Sequence, residues 1–448
     1  MRICLTYDFI STKEEKGLIN QSKKIEIIGK ILEKLGLDID YDLNNFSRKK
    51  LLEFSNLIES NSYYEEITFN DLTNKSLEYL RNSLKKYDYL ITYELSENSK
   101  IILENLGIKF IDIWLSPIRF YKDILFEFYS NEKDIYKRIQ TFNFDDKKLF
   151  KRVKKLKIHS KLFLDEITLE ENSCLIIGQM LQDKSIMKDG RFLTLLDFMD
   201  HLKNISEQYS NLYLLKHPYL KDEDFDYISK ELIRNIKNIK LIKGINTYQL
   251  LMKKEIKHII GISSSVLVEA KYFKKEIEFL YKPIISEKYV RVYKDLFSSN
   301  FWKKILDIKK EIEFKYLVDD NFFRLRYNLI YSYDIFMKNE LNRKEDHKSF
   351  IKLYNFIINL EKERRYILYG YGTIGKLIYP FIKDKLDGII DINIEDEYIN
   401  EDYRKIRVLK IEDLKDKDYV IISPINHNEN IKNKLIKYTK NIVEINLN

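Results

Sequence analysis

LLKHPYLKDEDF, residues 214–225, runs an apolar stretch into a Lys-His-Pro triplet and then into a cluster of acids. With the residues before it, the segment reads NLYLLKHP, 211–218, a short buried strand stopped by proline. Proline fixes φ, lacks the N–H that a central strand donates, and keeps the preceding residue extended. His217 is therefore expected at the strand's exit, its ring aimed out of the sheet. A lone histidine in such a place serves structure as readily as chemistry, so its neighbours must decide between the two.

Those neighbours form an alternating pattern. SCLIIGQM (173–180), a helix around 192–208, NIKLIKG (238–244), a helix at 247–253, HIIGISSS (258–265) and EIEFLYK (276–282) read as an α/β unit with a largely parallel sheet. Upstream, RICLTYDF (2–9), a helix around 20–36, YDYLITYEL (87–95) and IKFIDIWLS (108–116) read the same way. Residues 300–364 read mostly as helix, and a third unit opens at Tyr366. A chain of 448 residues exceeds what one core supports, since single cores stop growing at roughly 250–300 residues. The expected domains are 1–165, 166–300, a helical connector 301–364, and 365–448.

Composition narrows the class. The chain is 44% hydrophobic and 33% charged, with 33 Tyr and 26 Phe, which excludes disorder. Its two cysteines, Cys4 and Cys174, lie in apolar strand-like runs and cannot build a disulfide framework or a cysteine zinc site. MRICLTYDFIS is too short an apolar stretch for a signal peptide, and no window of ~18 apolar residues follows, so a cytoplasmic location is expected. The net charge of +8 concentrates in KKLFKRVKKLKIHSK, 147–161, where Leu149, Val153 and Leu156 recur near helical spacing. Two readings stand for it: a solvated linker helix, or peripheral contact with anionic lipid of the inner membrane or with a polyanionic acceptor. No zinc-finger, RNA-recognition or helix-turn-helix pattern accompanies the basic run, so no nucleic-acid partner is expected.

The third unit carries YILYGYGTIGKLIYPFI, which places Gly370, Gly372 and Gly375 as G-x-G-x-x-G between a strand and a helix. A second strand ends at Asp391, about twenty residues on, where a dinucleotide fold holds a ribose hydroxyl. This is the dinucleotide fingerprint in its proper context, but no catalytic domain follows it. An NAD-like ligand, a purely structural Rossmann-like module, and an NAD-dependent sugar-modifying enzyme all remain open.

In the second unit, polar residues cluster where three strands end: IIGQMLQDKSIMKDG, LLKHP and GISSSVLVEA. Ligands of parallel sheets bind outside the carboxyl ends of the strands, so Gln179, Asp183, Lys184, Ser185, His217, Ser263, Ser264, Ser265 and Glu269 are expected around one crevice. The serines precede an apolar helix, whose N-terminal N–H groups make a phosphate cradle, though a serine run is also an ordinary helix cap. No metal-ligand spacing of His, Cys or acids appears, and no metal is expected.

QMLQDKS (179–185), the strand end KHP (216–218) and SSSVLVEA (263–270), in this order and spacing, resemble the CMP-sugar-dependent transferases of bacterial surface polysaccharides. The resemblance is to retaining β-Kdo transferases of capsule and lipopolysaccharide assembly, including glycosyltransferase family 99, and covers roughly residues 85–300. The serine and His-Pro motifs are shared with bacterial sialyltransferases and polysialyltransferases. FIDIWLSPIRFYKD (110–123) is similar to a segment ahead of the catalytic loop in these proteins. The resemblance implies a GT-B fold, two Rossmann-like domains with a cleft between them, here followed by the small C-terminal Rossmann-like domain. It implies an acceptor-side first domain and a donor-binding second one. Asp183 maps onto the nucleophile of a double displacement. Gln179, Ser185, Lys216, His217, Pro218, Ser263 to Ser265 and Glu269 map onto the donor site, with Lys184 or Arg119 pairing with the sugar carboxylate. The implied partners are a CMP-sugar donor and a glycan or lipid-linked glycan acceptor, with no required cofactor. Two rivals stay open: a sialyl- or polysialyltransferase, and a non-catalytic sugar-nucleotide-binding protein of polysaccharide assembly.

Overall fold

A computed structural model describes residues 1–13, 28–41, 43, 46–59, 64–121, 125–164, 168–217, 220–309, 352–353, 356–357, 359–361, 363–401, 404–423 and 428–445. Pro218 and most of the expected connector 301–364 lie outside the described residues. The described chain divides into two units, one within 1–309 and one within 352–445.

In the first unit the strands run in chain order β1 (Arg2–Tyr7), β2 (Asp38–Asp40), β3 (Tyr89–Tyr93), β4 (Phe110–Leu115), β5 (Phe126–Ser130), β6 (Ser173–Ile177), a small hairpin of β7 (Met187–Lys188) and β8 (Arg191–Phe192), β9 (Leu212–Leu215), β10 (Ile239–Ile242), β11 (Ile256–Gly261), β12 (Glu276–Phe279) and β13 (Val290–Val292). They form two main sheets. The first has the order β13-β5-β4-β3-β1-β2, with β2, β1, β3 and β4 parallel and β5 and β13 antiparallel to their neighbours. The second is wholly parallel, in the order β10-β9-β6-β11-β12. This is the two-sheet α/β pattern expected of a GT-B protein. Cys4 and Cys174 are buried free thiols in β1 and β6.

Burial explains why the central strands were legible. β6, SCLII, and β9, LYLL, are buried at every residue, as a parallel strand covered on both faces must be. The acids of the opening stretch start the helix Asp222–Asn235, whose first turn holds Asp222, Glu223 and Asp224 at the positive end of the helix dipole. Its Phe225, Ile228 and Leu232, at helical spacing, pack with Ile176, Leu212 and Leu214. The helix expected around 192–208 is shorter, Met199–Ser206 behind a 3-10 turn, because β7 and β8 take up the residues before it.

After β12 the chain returns to the first sheet. β13 pairs antiparallel with β5, and the helix Ser299–Ile305 packs Phe301 and Trp302 against Phe128, at ring separations of 5.2 and 6.4 Å. Residues 290–305 thus complete the first sheet, whereas the sequence pattern groups them with the second domain or the connector. In the helix Lys147–Leu164, Leu149, Val153 and Leu156 are buried, so the apolar stripe of the basic run is packed against protein.

One glycine shapes the second sheet's edge. A Cβ on Gly178, directly after β6, would stand 2.6 Å from the Leu215 carbonyl oxygen and 3.1 Å from the His217 nitrogen. Both contacts are backbone and cannot swing aside, so the Gly178→Ala variant is expected to lose about 2 kcal/mol of stability in urea denaturation, while Gly190→Ala on the β7–β8 turn tests the separate cost of a positive φ.

The second unit holds a parallel sheet of β14 (Tyr366–Tyr369), β15 (Leu386–Ile390), β18 (Val420–Ile422) and β19 (Ile442–Glu444), ordered β15-β14-β18-β19, with a hairpin β16 (Tyr398–Glu401) and β17 (Arg404–Arg407).

Candidate functional site

By chain order, the second sheet runs third, second, first, fourth, fifth across β10-β9-β6-β11-β12, the doubly wound arrangement. Its direction reverses between β6 and β11, and ligands of such sheets bind in the crevice beyond that switch point. The loops after β6 and β11 carry Gln179 and Ser263, and the structure joins them. The Gln179 side-chain oxygen accepts the Ser263 N–H at 3.1 Å, and its amide nitrogen donates to Ser185 Oγ at 2.9 Å. A single amide therefore holds the serine loop and the Asp183 loop together at the switch point.

The serines divide their work. Ser263 is buried and its hydroxyl donates to the Lys282 carbonyl at 2.6 Å. Ser264 caps the short helix Ser265–Ala270, accepting the Val266 N–H at 3.3 Å. Half-buried Ser265 opens that helix. Half-buried Asp183 caps the 3-10 turn Lys184–Ile186, with Oδ1 accepting the Ser185 N–H at 2.9 Å. Among the described residues no hydrogen bond to its Oδ2 is found, which leaves one carboxylate oxygen for chemistry.

On the β9 side, half-buried His217 lies two residues past the strand, and its carbonyl accepts the Leu220 N–H at 3.0 Å. The Lys216 ammonium pairs with Asp222 at 2.9 Å and lowers that carboxyl's pKa. Lys216 therefore anchors the strand exit to the acidic helix start. A cavity of about 20 Å³ beneath Gln179, edged by Thr194 and walled by Leu214, Phe225 and Ile262, has room for about one water molecule. A nucleotide would have to lie above it, in the open crevice.

The first sheet reaches into the same region. The Lys184 ammonium donates to the Glu94 carbonyl at 2.6 Å, stands 3.5 Å from the Glu94 carboxylate, and lies 4.4 Å from the centre of the Trp114 ring. Glu94 follows β3 directly and holds a φ of 56°, a left-handed conformation unfavourable for Glu. β3 neighbours β1 at the first sheet's own switch point, so the carboxyl edges of the two sheets approach each other here. Lys184 thus bridges the two sheets.

Glu269 makes the second bridge. Its carboxylate accepts the backbone N–H groups of Arg119 and Phe120, at 2.5 and 3.2 Å, and the Tyr248 hydroxyl at 2.8 Å. It is 1% exposed, and burial lifts its pKa to about 7 against the pull of those donors. Glu269, expected among the donor ligands, is turned into the core by its place one helical turn past Ser265. It clasps the SPIRF segment of the first sheet to the helix that begins at the serine loop. Arg119, half-buried, is brought to the same junction by its backbone N–H.

Sequence reasoning passed over Glu94, Trp114 and Asp112. Asp112 is buried, accepts hydrogen bonds from Thr92, Leu95, Trp114 and Tyr289, and is raised by burial to about 6. Glu94 was open to discovery by the strand-end rule applied to β3. Asp112 and Trp114 share a strand face, but Tyr289 meets them from 177 residues away in sequence, which no local pattern reveals.

In the second unit, Gly370 has a φ of 88° and a Cβ on Gly375 would stand 2.1 Å from the Gly370 oxygen, so both glycines answer to the turn itself. A Cβ on Gly372 would meet open space. Asp391 accepts the Tyr371 N–H at 2.5 Å and the Asn393 N–H at 2.9 Å, and Ser423 donates to the Gly370 oxygen at 2.6 Å. The fingerprint acid thus already braces the glycine loop.

Among the described residues, no helix is long and apolar enough to cross a membrane, and no group of three or more His, Cys, Asp or Glu side chains forms a metal-ligand set. No protein-family model and no curated protein matches the chain. The solved structures similar to it include two KpsC proteins of Thermosulfurimonas dismutans. One is described as a beta Kdo 2,7 transferase, at 13% identity over 63% of this chain and 80% of that one, with a TM-score of 0.33. The other is described as a beta Kdo 2,4 transferase, at 11% identity over 64% and 81%, with a TM-score of 0.31. A glycosyltransferase of Rickettsia africae is similar at 14% identity over 62% and 78%, with a TM-score of 0.29.

Proposed function

We propose that this chain is a cytoplasmic glycosyltransferase of surface-polysaccharide assembly that takes Kdo from CMP-Kdo in the crevice of the second sheet and transfers it with retention through Asp183. The observation that carries the reading is the Gln179 amide, which ties the Asp183 loop to the serine loop at the switch point. Two of the three segments that resemble CMP-sugar transferases are thereby joined directly, and Lys216 and His217 of the third follow the adjacent strand β9.

The chemistry follows from the groups available. The CMP phosphate sits against the serine loop and His217. Because the Ser263 and Ser264 hydroxyl groups already serve the fold, backbone N–H groups and Ser265 carry most of the phosphate contact. Asp183 Oδ2 attacks the anomeric carbon, the bond from that carbon to the phosphate oxygen breaks, and CMP leaves with the electron pair. An acceptor hydroxyl on a glycan or lipid-linked glycan, entering from the first sheet near Glu94, then displaces the carboxylate, and its proton passes to the phosphate of the departed CMP. Two inversions make net retention. The transfer balances with donor, Asp183 and acceptor alone. Arg119 pairs with the donor carboxylate, while Lys184 holds the sheets together.

The capping bond of Asp183 favours a second reading: an inverting sialyl-type transferase in which Asp183 is structural. CMP release from CMP-Kdo generated in place, from CMP-sialic acid and from a UDP-sugar, each with and without glycan acceptor, tests the proposal. Release confined to CMP-Kdo is expected. Release confined to CMP-sialic acid, or none from any donor with verified substrates, contradicts it.

A further inference from the structure

The helix Lys147–Leu164 buries Leu149, Val153 and Leu156, and therefore turns Lys147, Phe150, Lys151, Lys154 and Lys157 outward along its opposite side. Phe150 is 44% exposed, and its ring lies 5.1 Å from that of Tyr272. The helix packs on two neighbours, the helix Thr247–Met252 and the turn Lys271–Phe273. Each is followed or accompanied by further lysines: Lys254 and Lys257 after the first, Lys271, Lys274 and Lys275 around the second. Exposed Lys271 lies over the Tyr272 ring at 5.0 Å, next to Phe150. Lys275 is pushed down to about 8 by burial and by the charges of Lys157 and Lys257, which belong to two other elements. Of the acids nearby, Glu255 attracts Lys275, Glu171 pairs with Lys254 at 3.7 Å, and Asp146 is held by Tyr272 and Arg291.

The patch does not belong to the crevice. Lys257 lies at the start of β11, and Lys274 and Lys275 immediately precede β12, whereas the serine loop follows the far end of β11. Six residues of strand separate the two ends, about 20 Å. A CMP-sugar bound at the switch point does not reach this face.

We propose that this three-element basic face, centred on Lys154, Lys157, Lys257 and Lys274 with Phe150 at its edge, docks the protein on an anionic lipid bilayer. The apolar stripe of the helix is committed to the core, so attachment is electrostatic and reversible, with exposed Phe150 able to enter the headgroup region. The inference stands apart from the donor chemistry.

Sedimentation with phosphatidylglycerol-containing vesicles, beside pure phosphatidylcholine vesicles, tests it on the full chain. The expected result is binding to the anionic vesicles alone, weakening as salt rises, and falling about tenfold or more when Lys154, Lys157, Lys257 and Lys274 are all changed to Gln. A variant with Lys49, Lys50, Lys75 and Lys85 changed to Gln alters net charge equally on the first sheet's helices and is expected to bind like the parent. Circular dichroism checks that both variants fold, and Phe150→Ser provides an independent single-site probe, expected to weaken binding several-fold. Equal binding to both vesicle types, or equal loss in the two lysine variants, overturns the proposal. Binding of soluble polyphosphate without binding to vesicles also overturns it, in favour of a free polyanion.

Discussion

Asp183→Asn is expected to lower transfer by about 10⁴-fold or more while leaving the protein folded, a combination that separates the two jobs this side chain has in the structure. As a cap, Asp183 needs only an oxygen that accepts the Ser185 N–H, and the Asn side-chain oxygen does this about as well as a carboxylate. As a nucleophile it needs the negative charge and the lone pair of Oδ2, and an amide nitrogen in that place has neither. The stability of Asp183→Asn should therefore stay within about 0.5 kcal/mol of the parent, whereas Asp183→Ala loses the cap and about 1 kcal/mol as well. Steady-state transfer and urea denaturation on both variants give the answer. An Asn variant that keeps more than a tenth of the activity would make Asp183 a capping residue and shift the chemistry to an inverting route.

The second large effect is at Glu269. Glu269→Ala leaves the N–H groups of Arg119 and Phe120 and the hydroxyl of Tyr248 buried without their acceptor, and is expected to cost about 3 kcal/mol or more. Glu269→Gln keeps an acceptor oxygen and isolates the charge. Burial holds the folded-state pKa at about 7, while the unfolded chain ionises near the ordinary glutamate value of about 4.3. The folded protein therefore binds this proton more tightly. Its contribution to stability is full below about pH 4.3, and is lost as pH rises through about 7, a swing of roughly 4 kcal/mol. Asp112, raised to about 6, adds a slope of the same sign in parent and variant alike. The difference between the two proteins should then run steadily in favour of Gln from about pH 4.3 to about 7, and level off above it. Stability curves for parent and Glu269→Gln that stay parallel over this interval would show that Glu269 is not buried as described.

The sequence pattern carried the strands whose residues are uniformly apolar and the turns whose chemistry is local. β6 and β9 were legible because parallel strands covered on both faces leave continuous apolar runs. His217 was placed by the proline that follows it, and the glycines of the second unit by the backbone geometry that only they tolerate. What escaped was set by distant pairing. Nothing in VRV, 290–292, announces that it will add to β5, since the partner lies more than 150 residues back. The direction of Glu269 was equally hidden: the motif SSSVLVEA gives its spacing from the serines, but its partners Arg119 and Phe120 belong to the other sheet. Likewise Lys184 had a plausible role as a cation for the donor, and only the fold shows Glu94 and Trp114 beneath it.

The measurement that bears most directly on the mechanism is intact-protein mass spectrometry after incubation with CMP-Kdo generated in place, without acceptor, followed by peptide mapping. A mass increase of one Kdo residue, located on the peptide that contains Asp183 and absent from Asp183→Ala, is the predicted result. Steady CMP release with no sugar on the protein at any quench time, and the same release from Asp183→Ala, would contradict the account.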